Sequence, residues 1–288
     1  MADTPIAFQD FAEPHLDGAH RLSVEARWPH RREDWALVMD LSQGVAALDG
    51  ERVVGTAFVT PFGPVATVNM VIVAEAMRGR GLGRALMERV LTAAGPRATR
   101  LTATADGLPL YEKLGFRPVG MIHQHQGVPS EVPAMPDRVA WAETPDLDAL
   151  AALDRAASGM ERRPLLERLA RLGRFAVLTA DGSVVGFAAL RAFGRGEVIG
   201  PVVAPDPQAA MALIDFVIAD RPGAFLRVDT PDPAVLSAFL ESRGLIKAGD
   251  GIPMVRGGTA PAEAGPEGDA APAGPIAKTY ALASQALG

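Results

Sequence analysis

Between Ala66 and Ala93 the chain reads as an apolar strand, a glycine-punctuated loop and an amphipathic helix in immediate succession, and few architectures accept that run. The strand ends in Val71-Ile72-Val73, β-branched residues suited to a pleated, half-buried surface. The loop is Arg78-Gly79-Arg80-Gly81-Leu82-Gly83, with glycine at every second position, so the backbone can turn sharply with no side chain over its amides. The helix follows at once, with Leu82, Ala85, Leu86, Val90 and Ala93 at helical spacing. Amides converging on a helix N-terminus, where the dipole also favours negative charge, form an anion site. Arg78, Arg80 and Arg84 reinforce it, and its size suits a diphosphate.

Two common diphosphate loops are excluded. The dinucleotide fingerprint fails because Gly79 and Gly81 are followed by Arg84 rather than glycine, and no Gly-Lys-Ser/Thr closes a Walker loop. What remains resembles the GNAT superfamily of acyl-CoA-dependent N-acyltransferases, whose shared loop Gln/Arg-x-x-Gly-x-Gly/Ala is matched by Arg78 to Gly83. A second motif supports the resemblance. Leu110-Tyr111-Glu112-Lys113-Leu114-Gly115-Phe116 is similar to the family's short helix with a tyrosine and a closing Gly-Phe, and follows a strand at Arg100 to Thr104. The family's frequent Asn seven residues before the tyrosine is Thr104 here. Strand, helix and strand in one sheet make a right-handed parallel crossover.

The second half of the chain repeats the first. Asp49-Gly50 with Val53-Val54-Gly55 recurs as Asp181-Gly182 with Val184-Val185-Gly186, Leu114-Gly115-Phe116 recurs as Arg243-Gly244-Leu245, and Leu16-Asp17 recurs as Leu147-Asp148. Anchors spread over a whole unit at nearly constant offset indicate two copies of one fold rather than a solenoid. The fold class is therefore α/β (α+β): tandem GNAT folds, each a twisted mixed β-sheet flanked by helices. The expected division is an N-terminal acetyltransferase domain over 1–128 and a divergent C-terminal domain over 132–288. Within the latter, 257–275 is rich in Pro, Ala, Gly and Glu and reads as a linker that delivers a last strand at Ile276 to Leu282. At constant offset Gly81 and Gly83 become Met211 and Leu213, and Tyr111 becomes Leu240, so the second copy is expected to lack a coenzyme site.

The resemblance implies the chemistry. The acyl-pantetheine arm would lie between the splayed strands ending at Val73 and Thr104, with backbone groups of Val71, Ile72 and Val73 polarising the thioester. The coenzyme diphosphate would rest on Arg78, Gly79, Arg80, Gly81, Leu82, Gly83 and Arg84. Tyr111 is the expected general acid for the leaving thiolate. The strand where relatives carry a Glu offers only Thr67 and Asn69, and Glu75 lies beyond it, so the base must come from elsewhere. The candidates are Glu25, His30, Glu33, Asp34 and His125, and because an imidazole ordinarily titrates near neutrality, His30 and His125 are the chemically suited pair. Trp28-Pro29-His30 falls between two helices, where the family forms its acceptor wall. Asp154, Glu161, Arg162 and Arg163 form a charged cluster in the second copy, open to an acceptor site or an interdomain salt-bridge patch and read here as solvated surface.

Composition narrows the class. There is no cysteine, which removes disulfides, thiolate metal sites and a cysteine nucleophile, and the five histidines show no metal spacing. A net charge of −6 argues against a broad nucleic-acid or anionic-membrane surface. No apolar run reaches membrane-spanning length and the N-terminus lacks a signal pattern, so a cytoplasmic location is expected. The expected function is N-acetyl transfer from acetyl-CoA, without metal, to a small-molecule or protein amine, with a homodimer left open. The alternative is a coenzyme A-binding regulator or scaffold without turnover.

Overall fold

The computed structural model describes residues 5–257 and 277–288; apart from Gly257, the expected linker lies outside the described residues. The first half runs β1 (Ala7–Asp10), α1 (Leu16–Glu25), α2 (Arg32–Leu41), β2 (Gln43–Asp49), β3 (Arg52–Phe62), β4 (Val65–Val73), α3 (Leu82–Ala94), β5 (Ala98–Ala103), α4 (Leu108–Lys113), β6 (Arg117–Pro118) and β7 (Ile122–Gly127). The second runs β8 (Val139–Trp141), α5 (Leu147–Ser158), α6 (Arg163–Leu172), β9 (Gly173–Ala180), β10 (Ser183–Phe193), β11 (Gly196–Ala204), α7 (Pro207–Ala219), β12 (Leu226–Thr230), α8 (Pro233–Ser242), β13 (Ile246–Arg256) and β14 (Lys278–Ala281). The repeat is visible element by element, and β3 and β10 are both eleven residues long. The first helix is shorter than the periodicity suggests. Pro14 sits in a separate 3₁₀ turn over Glu13–His15, and beyond Glu25 the left-handed Arg27 (φ 58°) stops the helix. No helix among the described residues is long and apolar enough to cross a membrane.

The two halves share one mixed fourteen-stranded sheet, in the order β1-β2-β3-β4-β5-β13-β7-β12-β11-β10-β9-β8, with β14 on β11 and β6 on β13. Its centre is an exchange that the linear repeat does not reveal. Strand β13 of the second half pairs antiparallel with β5 of the first, Ile252 facing Ala103 and Arg256 facing Thr99. Reciprocally, β7 of the first half pairs with β12, His123 facing Thr230 and Gly127 facing Leu226. Strands β7 and β13 also pair with each other, closing the sheet about an approximate dyad. Each half thus completes its sheet with a strand of the other.

The core follows the same logic. One buried cluster holds Leu16, Leu22, Trp35, Phe58, Phe62, Leu86 and Met87 of the first half together with Leu150, Leu165, Leu166, Leu169, Phe175 and Phe187 of the second. Helices α5 and α6 therefore bury their apolar stripes in a core continuous with that of the first half. A second cluster, built on Leu213, Ile214, Val217, Leu236, Leu240 and Tyr280, lies under α7 and α8.

Candidate active site

The glycine loop forms as its sequence requires. Gly79 and Gly81 take φ of +76° and +79°, and a Cβ built on either meets no atom within 4 Å, so both glycines serve conformation and leave open space over the backbone. Gly81 is the left-handed N-cap of α3, and the first intrahelical bond is Ala85 N–H to Gly81 O at 3.1 Å. The amides of Gly79, Gly81, Leu82, Gly83 and Arg84 donate to no acceptor among the described residues. Unpaired amides at a helix start are the donors an anion needs. Gly83 has a different reason: a Cβ there would stand 3.3 Å from the Leu110 side chain, where α4 packs on the start of α3. Arg78 Nη1 lies 3.8 Å from Asp106 in the turn before α4, Arg84 pairs with Glu88 at 2.9 Å, and Arg80 Nη1 sits 3.4 Å from Met77 Sδ.

The loop opens onto a cleft. Strands β4 and β5 pair in parallel only from Val65↔Ala98 to Thr67↔Arg100; beyond that they diverge. The β5-facing groups of Val68 to Val73 are left without a strand partner, and Val71, Ile72 and Val73 line this edge next to the loop. A bulge marks the divergence: the register with β3 slips between Phe58↔Asn69 and Thr56↔Ile72, and Met70 takes φ +49°. Tyr111 lies on α4, whose Leu110 packs at the start of α3. Its ring is 7% exposed, packs 6.1 Å from that of Phe116, and lies against Gly107, where any Cβ would meet it at 2.8 Å. Burial pushes its phenol up to about 12, so it carries its proton throughout the physiological range. Its hydroxyl takes part in no hydrogen bond among the described residues.

The two histidines named from sequence do not join this group. His125 is fully buried in β7: its Nδ1 is 3.0 Å from Leu245 O and its Nε2 3.0 Å from Ser237 Oγ. With Nδ1–H donating to the carbonyl, Nε2 accepts from the serine, and both nitrogens are committed to holding α8 against the sheet. His30 lies between the halves, its ring 5.6 Å from Trp28 and 5.4 Å from Phe193. Burial, opposed by Asp34 and assisted by Arg227 and Arg191, lowers its pKa to about 4, so it is neutral at pH 7. Its Nδ1 is buried without a partner. Beside it Asp34 accepts from Arg31 and, at 2.9 Å, from the buried Arg191 of β10; despite the opposing effect of burial, these cations hold its carboxyl below the usual range. Arg191 and Asp34 were invisible as a pair because 157 residues separate them.

The second half lacks each feature, for reasons the constant offset misplaces. Helices α3 and α7 both have thirteen residues, but the loop before α7 is shorter, so Pro207 corresponds to Leu82. Met211 and Leu213 therefore do not replace the glycines; they lie inside α7, Leu213 wholly buried. The position of Gly81 is held by Asp206, whose carboxylate caps Ala209 N–H at 2.8 Å. A fixed negative charge thus occupies the place where an anion would sit. The cleft is also filled. Strands β11 and β12 pair only at Glu197↔Leu226 and Val198↔Arg227, and into their divergence runs β14, with Val203 facing Thr279 and Val202 facing Ala281. Leu282 N–H reaches across to Asp229 O of β12 at 2.9 Å. The fit needs Gly200, since a Cβ there would fall 1.9 Å from Leu282 O. Farther along, the buried Arg162, paired with Asp154, donates to the carbonyls of Leu287 and Gly288.

The divergence of the parallel strand pair occurs in both halves: in the first it stands open beside a helix start with unpaired amides, and in the second it is filled by β14. The comparisons give the family. The description "Acetyltransferase (GNAT) domain" matches residues 40–118 and, separately, residues 150–266. Uncharacterized N-acetyltransferase YitH of Bacillus subtilis is 28% identical over 228 residues, 76% of this chain and 80% of that protein. A putative acetyltransferase from Pyrococcus horikoshii has the same fold, with a TM-score of 0.81 at 17% identity over 98% of this chain and 96% of that one. A tandem GNAT protein from the clavulanic acid biosynthesis pathway superposes with a TM-score of 0.62 at 19% identity, over 92% of this chain and all of the other. The chain belongs to the GNAT acetyltransferases, as a tandem of two such domains, and is an acyltransferase.

Proposed function

We propose that the protein transfers an acetyl group from acetyl-CoA to an amine, and that the first half, residues 1–128, carries the reaction while 132–288 completes it structurally. The observation that carries this reading is the asymmetry of the two clefts: one open beside unpaired amides, the other filled by β14 and capped by Asp206. Amides of Gly79 and Gly81 to Arg84 would hold the coenzyme diphosphate, with Arg78 and Arg80 contributing charge. Backbone groups along Val71 to Val73 would align the thioester and stabilise its developing oxyanion. Attack by the neutral amine forms the C–N bond and breaks the C–S bond. The amine proton leaves to solvent, Tyr111 gives its proton to the departing thiolate, and the phenolate regains a proton from solvent to restore the enzyme. A phenol that stays protonated to about pH 12 suits a donor and not a base. His30, held neutral, and His125, with both nitrogens bonded, fit structural roles in this scheme. The expected setting is the cytoplasm.

Calorimetry with acetyl-CoA, followed by a free-thiol turnover assay over pooled amines, tests the reading. One acetyl-CoA per chain and thiol release that depends on an amine are expected. Two per chain, or none, would refute it.

A further inference from the structure

The face of the sheet opposite α3 carries polar groups that the scheme above leaves unused. Pairing places Thr60 opposite Thr67 and Thr67 beside Arg100, so these side chains share one face, together with Asn69 two residues along. Asn69 is 6% exposed; its Nδ2 donates to Thr60 Oγ1 at 2.9 Å, and Ser42 Oγ lies 2.6 Å beyond. Its Oδ1 is buried with no partner. An unpaired buried carbonyl oxygen is costly, and it can only accept. It sits one residue before the Met70 bulge, where the cleft begins.

Arg100, on the other flank of the cleft, is its counterpart in charge. It is part-buried, its Nη1 donates to Ser158 O at 2.9 Å, and it forms no ion pair with any described residue. The charges around it are otherwise matched. Arg162 is closed off by Asp154 at 2.6 Å, and Glu161, which lies against Gly63, is within 3.6 Å of Arg155. A guanidinium withdrawn from water without a carboxylate is expensive unless a ligand brings one. The 158–161 turn packs over this flank, with Glu161 N–H donating to Phe62 O at 3.2 Å, and Gln285 reaches Gly251 beside Thr102.

We propose that the acceptor is a small amine bearing a carboxylate, such as an amino acid: Arg100 holds the carboxylate and Asn69 Oδ1 accepts an N–H of the attacking nitrogen. Strand geometry separates the Cα atoms of Asn69 and Arg100 by at least about 8 Å. The arginine side chain can span that gap to a carboxylate held close to the amine. Arg100 is then a specificity residue, and the substrate supplies the missing counter-ion. The inference rests on the reading that acetylation occurs in the first cleft.

The test measures thiol release from acetyl-CoA with the free amino acids, with the same compounds as carboxamides, and with spermidine and glucosamine. Carboxylate acceptors should be preferred at least about tenfold in kcat/KM. Arg100→Gln should raise KM for them by about 10- to 100-fold with a smaller change in kcat, and Arg100→Lys should recover part of the loss. Binding of acetyl-CoA to the same variants, measured by calorimetry, separates this from loss of the coenzyme site or of the fold. Carboxamides accepted as well as acids would overturn the proposal. So would a KM indifferent to Arg100→Gln, or a protein that binds acetyl-CoA yet acetylates no carboxylate amine. Failure of the parent to bind acetyl-CoA would instead refute the function on which it rests.

Discussion

Replacing Gly81 by Glu separates the cost to the fold from the cost to the site. The new Cβ meets nothing within 4 Å, so the structural penalty is confined to holding an L-residue at φ +79°, about 1–2 kcal/mol. A carboxylate at the start of α3 returns about 0.3–1 kcal/mol through the helix dipole. The net loss of stability is therefore about 1 kcal/mol, or a few degrees in Tm. The site fares much worse. The carboxylate would compete for the amides of Leu82 to Arg84, as Asp206 takes the Ala209 amide at the corresponding helix, and would repel a diphosphate. Two charge-assisted hydrogen bonds lost, at about 1.5–3 kcal/mol each, amount to at least a hundredfold in Kd. Calorimetry against acetyl-CoA, paired with urea denaturation, measures both effects. Gly81→Ala carries the strain without the charge and should fall between. A Glu variant that binds within threefold of the parent would refute the assignment of the diphosphate to this loop.

Two further outcomes follow from buried groups. Tyr111→Phe keeps the packing against Phe116 and Gly107 and removes only the proton; kcat should fall by roughly 100-fold at unchanged acetyl-CoA affinity, and an unchanged kcat where chemistry limits turnover would leave Tyr111 a packing residue. His30 has its pKa lowered from 6.5 to about 4, so as pH falls through that window the unfolded chain binds a proton that the folded chain refuses. Stability should drop by at most about 3 kcal/mol between pH 6.5 and 4, and His30→Gln should flatten this slope in urea titrations. Equal slopes for parent and variant would show that His30 is not held neutral.

The sequence by itself determined the local pieces. Glycines at 79 and 81 have one economical use, a left-handed turn with bare amides, and that use is the same in the isolated sequence as in the fold. The strand ending at Val73, the helix from Leu82 and the closing Gly115-Phe116 are likewise read from periods of 2.0 and 3.6 and from turn chemistry, all of them local. The repeat was legible because identities at anchor positions survive divergence.

What only the tertiary structure decided are pairings between residues far apart in the chain. A constant offset could not show that the loop before α7 is shorter, so Asp206, not Met211 or Leu213, stands where Gly81 does. Nor could it show that β7 and β13 change partners, because antiparallel pairing preference is nearly the same whichever half supplies the strand. The segment after Ala277 has the composition of any short strand; that it fills the second cleft depends on the divergence of β11 and β12 and on the flat surface at Gly200. The same holds for Arg100 and Asn69. One is an arginine in a strand and the other an amide in a strand, and only register across β3, β4 and β5 puts an unmatched charge and an unpaired oxygen on one face of the same cleft.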